Sequence, residues 1–307
     1  MMQTTMMKPT LNLKTNPLPN SNRVIFDKRR AHYPRQVAGN VVMRWIYHRI
    51  HVKKQDCVVA VCGDTGRGKT NVATALAERF GMTRSGKQYF RLGEVPEKIT
   101  PENFDKVLPD VCYGMRQLNS FWKRMAILED HRPNSTVGRP VVVEEAQIQL
   151  NSRNFRSKSN MDTLSQILTG RTYGNLYLFT WPRFNRIDSQ IRELFHVRLD
   201  LGEPDRERTL FKFKARLLPD NHQYPYGIYF RERIAGGYSI KKDGWFYMTP
   251  PSRPYFDAVA LKGRFWKAGL RKGLVDRKTG DYVEELPPKP PRKIGPKPIP
   301  RNVTVDI

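Results

Sequence analysis

The chain has 307 residues and is strongly basic, with 54 Lys and Arg against 29 Asp and Glu and a net charge of +25. Its 39% apolar content is enough for one large α/β domain with a smaller appendage. No run approaches the roughly 18 apolar residues of a membrane span, so we expect a cytoplasmic protein without stable membrane insertion. Such a charge excess is typical of proteins that bind a polyanion, and it favours nucleic acid as the partner.

A phosphate-binding loop (P-loop) is predicted early in the chain. The apolar run Val58–Val61 has the length of a buried strand, and the chain turns at Gly63. The next residues match G-x-x-x-x-G-K-[ST], and an amphipathic helix to Phe80 is predicted after them. The glycines let several backbone N–H groups point at one anion. The predicted nucleotide-binding residues are Gly63, Asp64, Thr65, Gly66, Arg67, Gly68, Lys69, Thr70 and Asn71.

Two side chains of this loop have predicted chemical roles. The Lys69 ammonium can reach the β- and γ-phosphates of ATP, and we assign it a catalytic role. The Thr70 hydroxyl can bind Mg²⁺. ATP and Mg²⁺ are therefore the expected cofactors.

The segment after the P-loop helix is predicted to be mostly helical. A short strand is expected over residues 88–92. A helix start follows at Thr100, where a cap residue precedes a proline and an acid, and helical structure continues to about Leu128. The three cysteines, Cys57, Cys62 and Cys112, are interpreted as buried reduced thiols.

Two adjacent acids follow the next apolar run, Val141–Val143. In P-loop ATPases the carboxylates of the Walker B motif lie at the end of such a strand. We assign Glu144 to magnesium and Glu145 to the attacking water, because successive residues leaving a strand point in different directions. Glu129 and Asp130 form a competing pair, although they lack a preceding β-branched run and are expected at the end of a helix.

Further elements alternate along the chain. A helix is predicted from Ser159, a strand over residues 176–180, a short helix over 187–195 and a strand over 196–201. This alternation predicts a parallel sheet. Strands are also expected at 210–214 and 227–230, together with a hairpin that joins 238–240 to 245–247 through a turn at 242–244. Basic residues among aromatic ones here suit either single-stranded nucleic acid or an aromatic core under a basic surface.

The order of these motifs resembles the HerA/FtsK superfamily of DNA-pumping ATPases, in particular its small archaeal and viral members. The motifs are the P-loop, the acids with the valines before them, and residues 170–178, 180–182 and 187–192, together covering about residues 41–201. The resemblance implies a RecA-like core and a homo-oligomeric ring, usually a hexamer, that threads or packages DNA. It also includes Arg153, which follows the acids.

Two departures from that resemblance concern the site. Trp181 stands where the superfamily often has a sensor glutamine, and the first acid, Glu144, is not the usual aspartate. The candidates to replace the glutamine are Asn154, Thr180 and Asn185. The candidates for an arginine finger, which neutralises γ-phosphate charge, are Arg67, Arg153, Arg171 and Arg192; we assign the catalytic role to Arg171.

The predicted organisation is α/β. Residues 1–22 form a disordered arm, 23–201 a RecA-like P-loop ATPase core with a largely parallel sheet, 202–285 a small β-rich extension, and 286–307 a basic, proline-rich tail. The leading functional hypothesis is an ATP-hydrolysing motor, encoded by a virus or plasmid, that translocates or packages DNA. A viral protein of this kind would act in the host cytoplasm.

Two other classes of function remain open at the level of sequence. The first is a nucleic-acid-binding or assembly protein switched by ATP. The zonula occludens toxin family is related to this option, although its usual membrane segment is not seen here. The second is a small-molecule P-loop kinase, which does not need a net charge of +25.

Overall fold

The computed structural model of the chain describes residues 41–81, 90–93, 95–131, 137–146, 174–187, 189–207, 209–218, 228–229, 232–234, 237–239, 245–276 and 280–281. At its centre is a mixed β-sheet. Its strands are β1 (Cys57–Cys62), β2 (Val111–Cys112), β3 (Pro140–Val143), β4 (Leu176–Trp181), β5 (Val197–Leu201), β6 (Phe211–Leu217), β7 (Ile228–Tyr229) and β10 (Phe246–Met248). A separate two-stranded sheet contains β8 (Glu232–Ile234) and β9 (Gly237–Ser239).

The sheet has the order β10-β6-β5-β1-β4-β3-β2, and β7 pairs with β6. Neighbouring strands from β5 to β2 are all parallel, whereas β6 runs antiparallel to β5, and β7 and β10 run antiparallel to β6. This topology confirms the predicted α/β fold, a RecA-like P-loop NTPase core with a largely parallel sheet. Because β4 alone separates β1 from β3, the P-loop and the paired acids leave the sheet at the same edge.

Helices cover the sheet. They are α1 (Val41–Tyr47), which continues into a π-helical turn (His48–Val52), α2 (Lys69–Phe80), α3 (Pro101–Val107), α4 (Met115–His131), α5 (Ser189–Arg192) and α6 (Arg253–Lys272). The start of α3 is set by Thr100, whose backbone N–H donates to the Asn103 side-chain oxygen at 2.8 Å, and by Pro101 in the first turn. No helix in these described ranges is long and apolar enough to cross a membrane.

The two faces of the sheet have separate apolar cores. Val59 and Val61 of β1 point to the face where α2 and α6 pack, whereas Val58 and Ala60 point to the face where α4 packs. The three cysteines are free and buried, and burial raises the pKa of each thiol to about 12. They are therefore apolar packing groups rather than nucleophiles.

Several local predictions differ from the structure. Residues 90–92 are not in a strand, and residues 88–89 lie outside the described ranges. The helix predicted over 187–195 is a 3₁₀ turn (Phe184–Arg186) followed by the four residues of α5. The predicted hairpin is wrong in its pairing: β9 pairs with β8, and β10 pairs with β6. The helix predicted from Ser159 lies outside the described residues, as do the whole of the predicted arm and the whole of the predicted tail.

Candidate active site

The P-loop connects β1 to α2 and contains two left-handed glycines. Gly66 and Gly68 both have φ of 83°, a conformation that side chains other than glycine rarely adopt. Gly68 is also held at close range by the sheet, since a Cβ at this position would lie 2.2 Å from Cε1 of Phe211 on β6. Backbone conformation and packing therefore both require glycine immediately before Lys69.

Lys69 is the first residue of α2, and its side chain folds back over the loop. Its Nζ donates to the carbonyl oxygens of Gly63 at 2.8 Å and Asp64 at 3.2 Å. Burial lowers the pKa of Lys69, while the nearby carboxylates of Glu145 and Glu144 act in the opposite direction. The ammonium is thus a partly buried cation between the P-loop and the paired acids.

Thr70 and Glu144 are in direct contact across the edge of the sheet. The Thr70 hydroxyl donates to Oε2 of Glu144 at 2.8 Å, and Thr180 at the end of β4 donates to the same oxygen at 3.2 Å. Glu144 is only 3% exposed. Burial raises the pKa of its carboxyl to about 7, and repulsion from Glu145 adds to the shift against the hydrogen bonds from the two hydroxyls.

Glu145 turns away from Glu144 because the backbone changes direction between them. Its φ of 51° is left-handed, and its N–H donates to Oγ1 of Thr180 at 3.0 Å. Glu145 is partly exposed, whereas Glu144 is buried. The two adjacent acids therefore occupy different environments, which is the arrangement expected when one holds a cation and the other faces substrate.

Thr180 is the polar residue that completes this group. The sequence places it among three candidates for the sensor position, and the structure brings it between the two acids. The side chain of Trp181 points to the face of the sheet opposite to that of Thr180, and it is buried there in the apolar core beside α4. Asn185 lines a cavity of about 550 Å³ at the sheet edge, and Asn154 lies outside the described residues.

The competing acid pair lies in a helix and does not follow a strand. Glu129 and Asp130 belong to the last turn of α4, as their sequence context predicts. Neighbouring Ile127 is 56% exposed, so no buried strand precedes these acids. The pair at 144–145 is the one that the fold brings to the P-loop.

The candidate arginines are only partly described. Arg67 pairs with Glu203 after β5 at 2.9 Å. Arg192 on α5 lines the same cavity as Asn185, and its Nε is buried with no hydrogen-bond partner among the described residues. Arg153 and Arg171 lie outside the described ranges.

The oxygen atoms at the sheet edge suit a hard divalent cation. Mg²⁺ prefers carboxylate and hydroxyl oxygens, and the Thr70 hydroxyl and the Glu144 carboxylate provide both within one hydrogen bond of each other. The second carboxylate oxygen of Glu144 is buried and has no hydrogen-bond partner among the described residues. A buried carboxyl with a raised pKa and an unpaired oxygen fits a site that a cation would stabilise.

No protein-family model and no curated protein matches the chain. Among solved structures, it is similar to the N-terminal domain of zonular occludens toxin from Neisseria meningitidis, with 14% identity and a TM-score of 0.37, over 66% of this chain and 98% of that one. It is also similar to the genome packaging NTPase B204 from Sulfolobus turreted icosahedral virus 2 in complex with AMPPCP, with 9% identity and a TM-score of 0.33, over 53% and 92%.

A third similar structure is the FIGL-1 AAA domain in complex with ADP, with 17% identity and a TM-score of 0.30, over 49% of this chain and 44% of that one. At these identities and scores the likeness gives no information about what this chain binds or does. The assignment of its fold rests on its own sheet order and on the loop between β1 and α2.

Proposed function

We propose that this chain is a Mg²⁺-dependent ATPase that translocates or packages DNA. The observation on which this rests is the contact between Thr70 and Glu144, at 2.8 Å, beside a P-loop lysine and a second acid. A chance glycine-rich loop does not require a buried carboxylate from another strand at the hydroxyl that follows its lysine. P-loop ATPases need this combination of groups.

Each group has a defined task in this proposal. The P-loop backbone and the Lys69 ammonium bind the phosphates of ATP, and Thr70 and Glu144 hold the cation. Bound Mg²⁺ supplies charge stabilisation to the phosphates during transfer. Glu145 orients and polarises the attacking water. The Thr180 hydroxyl accepts a hydrogen bond from the backbone N–H of Glu145 and so fixes the position of this acid.

The net charge of +25 supports DNA as the partner, because a nucleotide kinase does not need such an excess. The test is the rate of ATP hydrolysis with and without DNA. The motor requires that DNA accelerate hydrolysis. Hydrolysis that ignores DNA would favour a small-molecule kinase, and DNA binding without turnover would favour an assembly protein that ATP only switches.

A motor of the kind implied by the family resemblance also requires shared sites in a ring. Arg171→Ala subunits should bind ATP but fail to hydrolyse it, because the finger acts on the ATP of a neighbour. Mixing them with Glu145→Gln subunits should restore part of the activity, since some interfaces regain both groups. A fully active monomer, or no recovery despite proven co-assembly, would contradict the shared site.

A further inference from the structure

Strands β5, β6 and β10 form a part of the sheet whose two sides differ in chemistry. Along β6, Phe213, Ala215 and Leu217 are at most 3% exposed and pack towards α2. The alternate residues Lys212, Lys214 and Arg216 are partly exposed on the other side. We use the term basic face for the surface formed by Arg198, Lys212, Lys214, Arg216, Trp245 and Tyr247.

The indole of Trp245 lies across the basic face. Its ring is 5.3 Å from Nζ of Lys212 and 4.8 Å from Nζ of Lys214. It also reaches the end of β5, because a Cβ on Gly202 would lie 2.8 Å from Cη2 of the indole. Trp245 precedes β10, which pairs with the far edge of β6, so the indole spans the width of that strand.

Charge on the basic face is unbalanced. Arg198 Nε is 2.7 Å from Oδ1 of Asp200, and Arg216 Nε is 3.4 Å from its Oδ2. Asp200 is the single acid in β5, β6 and β10, whereas the same strands contain four cationic side chains. A partner with negative charge would relieve this excess.

Aromatic surface accompanies these cations. Trp245 is partly exposed, and Tyr247, which pairs with Lys212 in the β10 register, is 44% exposed. If these rings belonged to an aromatic core beneath a basic surface, both would be fully buried. Phe213, in the apolar core on the opposite side of β6, is only 1% exposed. Partly exposed aromatic rings among lysines are the combination that binds single-stranded nucleic acid, where bases stack on rings and phosphates meet cations.

We propose that the basic face binds single-stranded nucleic acid, with a base stacked in contact with Trp245 and phosphates at Lys212, Lys214 and Arg216. This rests on the proposed function insofar as that function has nucleic acid as its partner. A duplex keeps its bases stacked internally, so it would use the cations but not the indole. The basic face therefore selects single strands over duplexes of equal length.

The test uses the full chain and three probes: a labelled oligodeoxythymidine of about 15 nucleotides, a duplex of the same length, and inorganic polyphosphate. Trp245→Ala should weaken oligodeoxythymidine binding about tenfold and leave polyphosphate binding unchanged, because only the base stacking is lost. Trp245→Phe should restore most of the affinity. The unfolding temperature of each variant is measured alongside.

The double variant Lys212→Gln, Lys214→Gln should weaken binding of both single-stranded DNA and polyphosphate. It should also lower the slope of log K against log salt by about 1.4, since each phosphate contact contributes about 0.7 on single strands. The matched control is Lys267→Gln with Arg271→Gln, which removes the same charge from the exposed side of α6. This control pair should change the affinity for single-stranded DNA and for polyphosphate less than twofold.

The proposal is overturned if oligodeoxythymidine binding is unchanged by Trp245→Ala, if the test and control pairs lose equal affinity, or if the chain prefers the duplex. If Trp245→Ala does not fold, the proposal is tested by comparing the double variant at Lys212 and Lys214 with the control double variant. If the wild-type chain hydrolyses ATP but does not bind single-stranded DNA, this inference is contradicted and the proposed ATPase activity is still supported. Single-strand binding that depends on Trp245, without any turnover, would support it and contradict the ATPase.

Discussion

The hydroxyl of Thr70 donates a 2.8 Å hydrogen bond to Oε2 of Glu144, and this bond joins the P-loop helix to the end of β3 across the intervening strand β4. Thr180, on β4, donates to the same carboxylate oxygen. Residues from α2, from β4 and from the end of β3 thus contribute to one polar cluster at the sheet edge. On this cluster we base the proposal that Glu144 holds the cation and Glu145 orients the water.

The second acid should control hydrolysis rather than binding. Glu145→Gln should bind ATP normally and hydrolyse it about 10²- to 10⁴-fold more slowly, because an amide cannot polarise water as a carboxylate does. Equilibrium binding and single-turnover hydrolysis measure the two properties separately. Glu129→Gln is the matched control on α4 and should hydrolyse ATP at the wild-type rate; the opposite pattern would assign the Walker B role to the α4 pair.

Glu144 should make stability depend on pH. Its folded-state pKa is raised from 4.5 to about 7, so between these values the folded protein keeps a proton that the unfolded chain has lost. Stability contributed by the neutral carboxyl is therefore present below pH 4.5 and is lost as the pH rises to 7.

Glu144→Gln removes this dependence. We expect the variant to gain on the order of 2–3 kcal/mol relative to wild type between pH 4.5 and pH 8, measured by denaturant unfolding without nucleotide. Asp130→Asn, an exposed acid on α4, is the control and should show no such difference. Parallel pH profiles for wild type and Glu144→Gln would show that the carboxyl is not held neutral.

The close contact at Gly68 should be measurable apart from its backbone conformation. Gly68→Ala combines a left-handed φ of 83° with a clash against Phe211, whereas Gly273→Ala at the end of α6 has a φ of 75° and open space around it. The control should cost roughly 1–2 kcal/mol for the conformation alone. Gly68→Ala should cost more and should weaken ATP binding, and adding Phe211→Ala should recover part of the difference. Equal unfolding temperatures for the two alanine variants would contradict the contact.

Much of the core follows from local sequence patterns. The apolar run of β1, the glycines after it and the valines before Glu144 define a strand, a loop and a second strand, and the structure has all three. Strand β2 could not be predicted, because two residues, Val111–Cys112, show no periodicity and are defined by their pairing with β3.

The pairing of β10 shows where local signals fail. Residues 242–244 form a turn signal that predicts pairing between the segments on either side. In the structure Phe246–Met248 instead pairs with β6, where Met248 becomes 3% exposed in the apolar core beside α2. Burial against a distant strand outweighs the local turn, and the sequence near the turn does not contain that partner.

The site could be predicted in its parts but not in its contacts. Lys69, Thr70 and the two acids follow from motif spacing. From sequence, Thr180 is one of three candidates, and its local signal is a polar residue at the end of an apolar strand. Its role as the link between Glu144 and the Glu145 backbone depends on β4 lying between β1 and β3, which no single segment specifies.

Lys262 on α6 should also make stability depend on pH, in the opposite direction to Glu144. It is fully buried, donates to the carbonyl oxygens of Leu108 and Val111 at 2.8 Å each, and lies 4.9 Å from the Phe104 ring. Burial lowers its pKa from 10.5 to about 8. Between these values the unfolded chain binds the extra proton, so stability rises with pH across this window.

Lys262→Met should lack this rise. Relative to the variant, wild type should gain on the order of 2–3 kcal/mol between pH 8 and pH 10.5. Lys267→Met, on the exposed side of the same helix, is the control and should follow the wild-type profile. Identical profiles for wild type and Lys262→Met would mean that the buried ammonium keeps its ordinary pKa.

We propose that the P-loop and the paired acids form one site that hydrolyses ATP. The most direct measurement is steady-state phosphate release from ATP in the presence of Mg²⁺, comparing wild type with Lys69→Ala. We expect Mg²⁺-dependent turnover by the wild type and its loss in Lys69→Ala, because the phosphates lose the cation that α2 places at the loop. Turnover by Lys69→Ala at the wild-type rate would contradict it.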